Sequence, residues 1–220
     1  MKFVGLVKFF RNEEFLDSLL SGCFHCSPPE RYRMDEQLGV SDKIESCAYS
    51  YRVKRNDPPI VIMINDIEIT DPLSLTVHNN PYKDSWMHCW FTLNIPDSED
   101  GLAVLKSDLD RMKKEFGSDY AFIPNSNLNE LIHRLKSVSI KDLQYGEVEY
   151  SNDSAKFSCR CKSLSYSYQR EFRFLFGECA VSEEDFFILN YENGFRDLIY
   201  KNATVKLTDR ENGHVWFELK

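Results

Sequence analysis

Helical periodicity is confined to a few short stretches of this 220-residue chain, while β-prone apolar runs recur from end to end. Asn12 offers an N-cap, Glu13 and Glu14 suit the positive end of a helix, and Phe15, Leu16, Leu19 and Leu20 repeat at helical spacing before Gly22 stops the run. Leu102, Leu105, Leu109, Met112 and Phe116 line one side of a second helix closed by Gly117; Lys106, Asp108, Asp110, Arg111 and Lys113 occupy its other side. Asn127 with Glu130 gives a capping-box-like start to a third, built on Leu128, Leu131, Ile132 and Leu135. The spacing predicts helices near 12–21, 101–116 and 127–136, plus a short one from Ser182 to Leu189 opened by Glu183, Glu184 and Asp185.

The rest reads as strands. Phe3 to Phe10 is apolar and β-prone, Cys23 to Ser27 is a brief strand ended by Pro28-Pro29, and the polar segment around Tyr32 is a loop with helical turns. Ile44 to Arg55 alternates loosely, Ile60 to Thr70 carries a hairpin turn at Asn65-Asp66, and Leu73 to Val77 and Trp86 to Leu93 follow, the last apolar enough to be central. Tyr120 to Ile123, Gly146 to Tyr150, Lys156 to Cys161 and Phe172 to Phe176 add further strands, and a hairpin joins Ala203–Leu207 to Val215–Leu219. Strands outnumber helices and hairpin-like connections are frequent, so the expected fold is α+β: a single domain over 1–220 with a mixed, mostly antiparallel sheet and about three main helices.

Charge and cysteine content narrow the function. With 27 basic against 35 acidic residues the formal net charge is −8, which gives no global support to counterion-release binding of duplex nucleic acid. No apolar run approaches the ~20 residues of a membrane span, and the start lacks a signal-like apolar region, so the expectation is a cytoplasmic protein without membrane attachment. Seven cysteines are an odd set, which argues for reduced thiols. Cys23, His25 and Cys26, with Cys159 and Cys161, have no metal-site spacing, and no metal is expected. Asp97, Glu99 and Asp100 are carboxylates of the kind that bind Mg²⁺ in nucleases, but they suit the start of the helix after Pro96. No GxGxxG, GxxxxGK[ST] or GxSxG is present, which removes the usual sequence support for Rossmann, P-loop and α/β-hydrolase chemistry.

The segment from Tyr166 to Phe174 is the most informative. Read as a strand from about Arg170, it sets Arg170, Phe172, Phe174 and Phe176 on one face and Glu171, Arg173 and Leu175 on the other. Glu171 and Arg173 then form either a solvent-facing ion pair above an aromatic core or a glutamate held in a cleft by an arginine, able to hydrogen-bond a sugar hydroxyl or stabilise positive charge.

The run from Val7 to Met34, Cys89-Trp90 before the acidic cluster at 97–100, the strand Tyr145 to Tyr150, the later Lys162 and the closing Glu171-Phe172-Arg173 together resemble an uncharacterised family of bacterial and phage proteins, a domain of unknown function. The chain departs from that pattern after the acidic cluster, where Gly101 to Val104 replace a tryptophan-tyrosine pair, and after Ser27-Pro28-Pro29, where an Asn-Asp-Pro is missing. The order of a basic residue on an early strand (Lys8 or Arg11), a helix, Ser27 or Tyr32, and a late glutamate also resembles ADP-ribosyltransferases. That resemblance implies an enzyme of a bacterial or phage conflict system that transfers ADP-ribose from NAD to a protein or nucleic-acid acceptor. It implies Glu171 as the catalytic carboxylate, with Lys8, Arg11, Ser27, Tyr32 and Arg173 around the dinucleotide. The competing class is a non-enzymatic accessory protein whose acidic surface binds and inhibits a partner. Length and hydrophobic content permit a monomer, and an unpaired apolar edge or aromatic patch would permit a dimer equally well.

Overall fold

The structure, a computed structural model, describes residues 1–80 and 83–220. In chain order its elements are β1 (Lys2–Phe10), α1 (Glu13–Leu20), β2 (Cys23–Cys26), α2 (Pro29–Met34), β3 (Tyr49–Arg52), β4 (Ile62–Ile64), β5 (Ile67–Ile69), β6 (Ser74–Val77), β7 (Asp84–Ile95) and α3 (Glu99–Phe116). There follow β8 (Asp119–Pro124), α4 (Asn125–Val138), β9 (Leu143–Glu147), β10 (Glu149–Ser151), β11 (Cys161–Ser163), β12 (Glu171–Cys179), β13 (Phe187–Asn190), β14 (Tyr200–Lys201), β15 (Val205–Thr208) and β16 (Val215–Leu219). The fold is α+β, and its three longer helices are those expected from periodicity.

Six strands form the central sheet in the order β14-β8-β1-β7-β12-β9, every pairing antiparallel. Alternation along the strands feeds two cores. On one face Leu6, Trp90, Phe172, Phe174 and Phe176 meet Leu16, Leu19 and Leu20 of α1 and Leu131, Ile132 and Leu135 of α4. On the other, Val7, Phe91 and Leu93 meet Leu102, Leu105, Leu109 and Met112 of α3, with Phe217 and Leu219 of β16 completing the layer. Asn12 caps α1 by accepting from the Glu14 amide, and Ser98 caps α3 by accepting from Gly101.

Four local expectations need correction. Phe187 to Asn190 is a strand, not the end of a helix: it pairs with β2, Leu189 opposite Phe24, because alternate apolar side chains there complete the core. The acidic run 183–185 imitates a helix start without an amphipathic stripe behind it. Lys156 to Cys161 is not a strand either; a 3-10 turn over Ser154–Lys156 precedes β11. Pro29 at the first helical position opens α2, a regular helix of six residues, within the segment read as a loop with helical turns. Asn127 lies inside α4, where its side-chain amide donates to the Leu198 carbonyl instead of capping.

The topology positions one further feature. β7 pairs with β1 only from Ile95 down to Phe91, and with β12 from Phe91 to Asp84. Phe91 is partnered on both sides, by Val7 and by Glu171. Beyond it β1 continues along β8 alone, and Ser27 takes its place beside β7 through paired backbone bonds with Met87. The sheet therefore forks immediately after Phe91.

Phe174 is fully buried and packs edge-on against Phe24 and Phe172, with ring centroids 5.5 and 5.3 Å away. Phe174→Ala is expected to lower the unfolding free energy by about 3–5 kcal/mol in urea titration; a loss below about 1 kcal/mol would contradict this packing.

Candidate functional site at the sheet fork

A cavity of about 100 Å³ sits at the fork. Its apolar lining includes Val7, Phe9, Phe91, Met112 and Phe116; its polar lining includes Lys8, Tyr32, Glu45, Lys162, Gln169, Glu171 and Arg173. Four of the six sequence candidates thus share one cavity. Ser27 lies in an adjoining depression of about 320 Å³ that shares Tyr32 and Val40 with the first. Arg11 stands outside both; its guanidinium is spent on Gln37 and on the Leu38 and Glu115 carbonyls.

Glu171 and Arg173 face the interior, so the solvent-facing alternative does not hold: they are 7% and 2% exposed. Arg170, read with the strand, is in fact in the left-handed region at φ 40° and ends the 3-10 turn Leu164–Gln169. Its side chain points elsewhere, to Asp108 at 2.8 Å.

The Arg173 guanidinium donates from Nε to Glu171 Oε2 at 2.7 Å and from Nη1 and Nη2 to both oxygens of Glu45 at 2.8 and 3.0 Å. Lys162 Nζ donates to Glu171 Oε1 and Gln169 Oε1, each at 2.9 Å, and lies 3.3 Å from Glu45 and 3.8 Å from Asp42. Two cations and three carboxylates therefore occupy one buried cluster. Burial opposes ionisation of Glu171, yet Arg173 and then Lys162 outweigh it and hold the carboxyl well below the usual carboxylate range. Glu45 is lowered for the same balance of reasons. Asp42 absorbs the excess negative charge: burial and then the neighbouring Glu45 push its carboxyl up to about 6.

The backbone fixes Glu171 as well. Its N–H donates to the Tyr150 hydroxyl at 2.7 Å and its carbonyl accepts from Val148 at 2.9 Å. Each carboxylate oxygen uses one lone pair on a cation and retains one, so Glu171 is a preorganised anionic acceptor. Lys8 reaches the same space from β1, donating to the Cys89 carbonyl at 2.9 Å, and burial lowers its ammonium. Burial raises the Tyr32 hydroxyl well above its usual value, leaving it a donor at neutral pH.

Sequence reasoning gave no role to Asp42 or Glu45: Asp42 ends a segment with no clear period, and Glu45 falls in the stretch read as loosely alternating, where the structure has a turn and the strand β3 begins only at Tyr49. Lys162 entered only as part of a family pattern. A larger cleft of about 820 Å³ lies along β12 past Leu175, but it contains none of the candidate residues; there Lys83 is paired with Glu178 and Arg160 with Gln144. Among the described residues no cluster of three or more His, Cys, Asp or Glu is arranged to hold a metal ion, and no helix is long and apolar enough to cross a membrane. Comparison with protein-family models, curated proteins and solved structures finds no match to this chain.

Asp42 gives the cluster a signed pH response. A carboxyl whose folded pKa lies above its unfolded value disfavours folding once pH exceeds the unfolded value, and the penalty is complete above the folded one. With the folded value about 6 and the unfolded about 3.9, Asp42→Asn is expected to stabilise the fold relative to the parent at pH 8 and not at about pH 4. Urea midpoints at the two pH values measure this; a gain at the lower pH alone would reverse the assignment.

Proposed function

We propose that the chain transfers ADP-ribose from NAD to an acceptor, in the manner of ADP-ribosyltransferases. The observation that carries this reading is the buried Glu171 carboxylate, held ionised by Arg173 and Lys162 on the wall of a cavity that Lys8 and Tyr32 also line. Cleavage of the ribose–nicotinamide bond leaves the electron pair on the departing ring nitrogen and positive charge on the ribose. A fixed carboxylate that accepts from a ribose hydroxyl stabilises that charge without reorganising. Water or an acceptor nucleophile attacks the ribose carbon and releases its proton to solvent. Such a reaction is positioning and electrostatics, and it asks for no nucleophilic side chain.

At about 100 Å³ the cavity is smaller than the roughly 150 Å³ apolar cavity that holds benzene, so the reading has the nicotinamide ring only partly inside it, with the ribose at its mouth. The remainder of a dinucleotide then has the neighbouring depression with Ser27, Arg31 and Tyr32. Arg173 and Lys162 act here as positioning residues for Glu171.

Nicotinamide release from NAD by the purified chain, with and without cell extract as a source of acceptor, tests the proposal. Glu171→Gln is expected to reduce release by about 100-fold or more. That variant also leaves Lys162 and Arg173 buried with less counter-charge and will destabilise the fold. Tyr32→Phe, which removes only a hydroxyl from a half-buried residue, is the companion variant, and both are compared at temperatures where circular dichroism shows them folded. Unchanged release in folded Glu171→Gln, or no NAD binding by the parent at millimolar concentration, would overturn the reading.

A further inference from the structure

Residues 53–73 leave the paired strands β3 and β6 as a projecting finger. Buried polar groups hold its root. Arg52 pairs with Glu30 and donates to the Tyr51 and Leu75 carbonyls and to Thr76; Arg55 pairs with Asp57 and donates to the Arg33 and Ser50 carbonyls.

The tip has the opposite character. β4 and β5 pair Ile62 with Ile69 and Ile64 with Ile67, around Asn65 and Asp66 at φ 48° and 63°, the left-handed pair that a two-residue hairpin turn requires. That register sets all four isoleucines on one face. Ile64 and Ile67 are 57% and 65% exposed, and Val61 and Leu73, elsewhere on the finger, are 71% and 79% exposed. Neither strand of the tip packs extensively on another helix or strand among the described residues. A two-stranded hairpin is at best marginal in water, and a contiguous exposed apolar face marks an interaction site.

Charge selects the occupant. From Asn56 to Asn80 the sequence contains no lysine or arginine, and with Asp57 spent on Arg55, the finger carries Asp66 at its turn, Glu68 opposite Met63 on the face away from the isoleucines, and Asp71 after β5, with no basic residue in that stretch to balance them. A second copy would oppose the same acids in a chain whose formal net charge is already −8. We infer that the finger docks into an apolar groove edged by lysine or arginine on a different, basic protein. This inference is independent of the reading of the fork cavity.

The probe is a benzophenone amino acid placed at Ile67 of the full chain in its native host, with Leu38, exposed elsewhere, as the control position. One dominant basic protein is expected as the adduct at Ile67 and not at Leu38. Titrated in purified form against the full chain, that protein is expected to bind Ile64→Ser/Ile67→Ser about ten-fold more weakly or worse. It is expected to bind Asp66→Asn/Glu68→Gln more weakly than the parent and with a shallower salt dependence. Both pairs are exposed and belong to neither apolar core, so the fold of the rest of the chain is not at stake, and Ile64→Thr/Ile67→Thr, which keeps β-branched side chains in the hairpin, is titrated beside the serine pair with the same loss expected. A lipid adduct, an adduct with a second copy together with a concentration-dependent dimer in sedimentation, equal adducts at both positions, or unchanged affinity in the isoleucine variant would each overturn the inference.

Discussion

The pairing of Arg173 with Glu171 on one side and Glu45 on the other organises the centre of this molecule. Arg173 is 2% exposed, and burying a guanidinium at that depth is costly unless its donors are matched. The match requires Glu45, 128 residues away in sequence, so the loop from Asp35 to Cys47 is drawn across the sheet to deliver it. That loop also brings Gly39 and Val40 to the cavity, and the Gly39 carbonyl accepts from Gln169, whose own oxygen accepts from Lys162. The ion cluster and the cavity wall are one construction.

A second set of buried charges works in the same way at the base of the finger. Arg33 pairs with Glu30 at 2.8 Å and Asp84 at 2.9 Å, and Glu30 in turn pairs with Arg52. These contacts tie α2 to β7 and to the β3–β6 ladder. Arrangements of this kind confer little net stability over apolar packing, but breaking one partner is expensive. From α2 to the start of β7 the root of this region is therefore held in register by matched charges, whereas β2 before it is held by the apolar core through Phe24 and Cys26.

The three longer helices and the alternation of β12 were legible in the sequence because they depend on local periodicity: Leu102 to Phe116 repeat every three to four residues, and Phe172, Phe174 and Phe176 alternate with Glu171, Arg173 and Leu175. Whether Glu171 and Arg173 faced solvent or interior was not legible, since alternation names two faces without saying what covers each. Their cover is the loop bearing Asp42 and Glu45, whose contacts with β12 and Lys162 are long-range. The fork itself follows from where β1 and β7 stop pairing, a consequence of Ser27 bonding to Met87 that no local pattern records. Lys8 and Tyr32 were singled out by a family resemblance and Ser27 with them; the fold places the first two on the cavity and the third beside it.

Glu171 is, on this geometry, an ionised, ligand-accessible carboxylate at neutral pH. The direct measurement is the side-chain carboxyl carbon resonance of Glu171 in glutamate-labelled protein, assigned by loss in Glu171→Gln and followed against pH and added NAD. The resonance is expected to stay at its ionised position from neutral pH down to about pH 3, and to shift on NAD addition. Titration in the ordinary glutamate range near 4.3, or no response to NAD at concentrations that saturate other resonances, would mean that Glu171 is not the preorganised acceptor described.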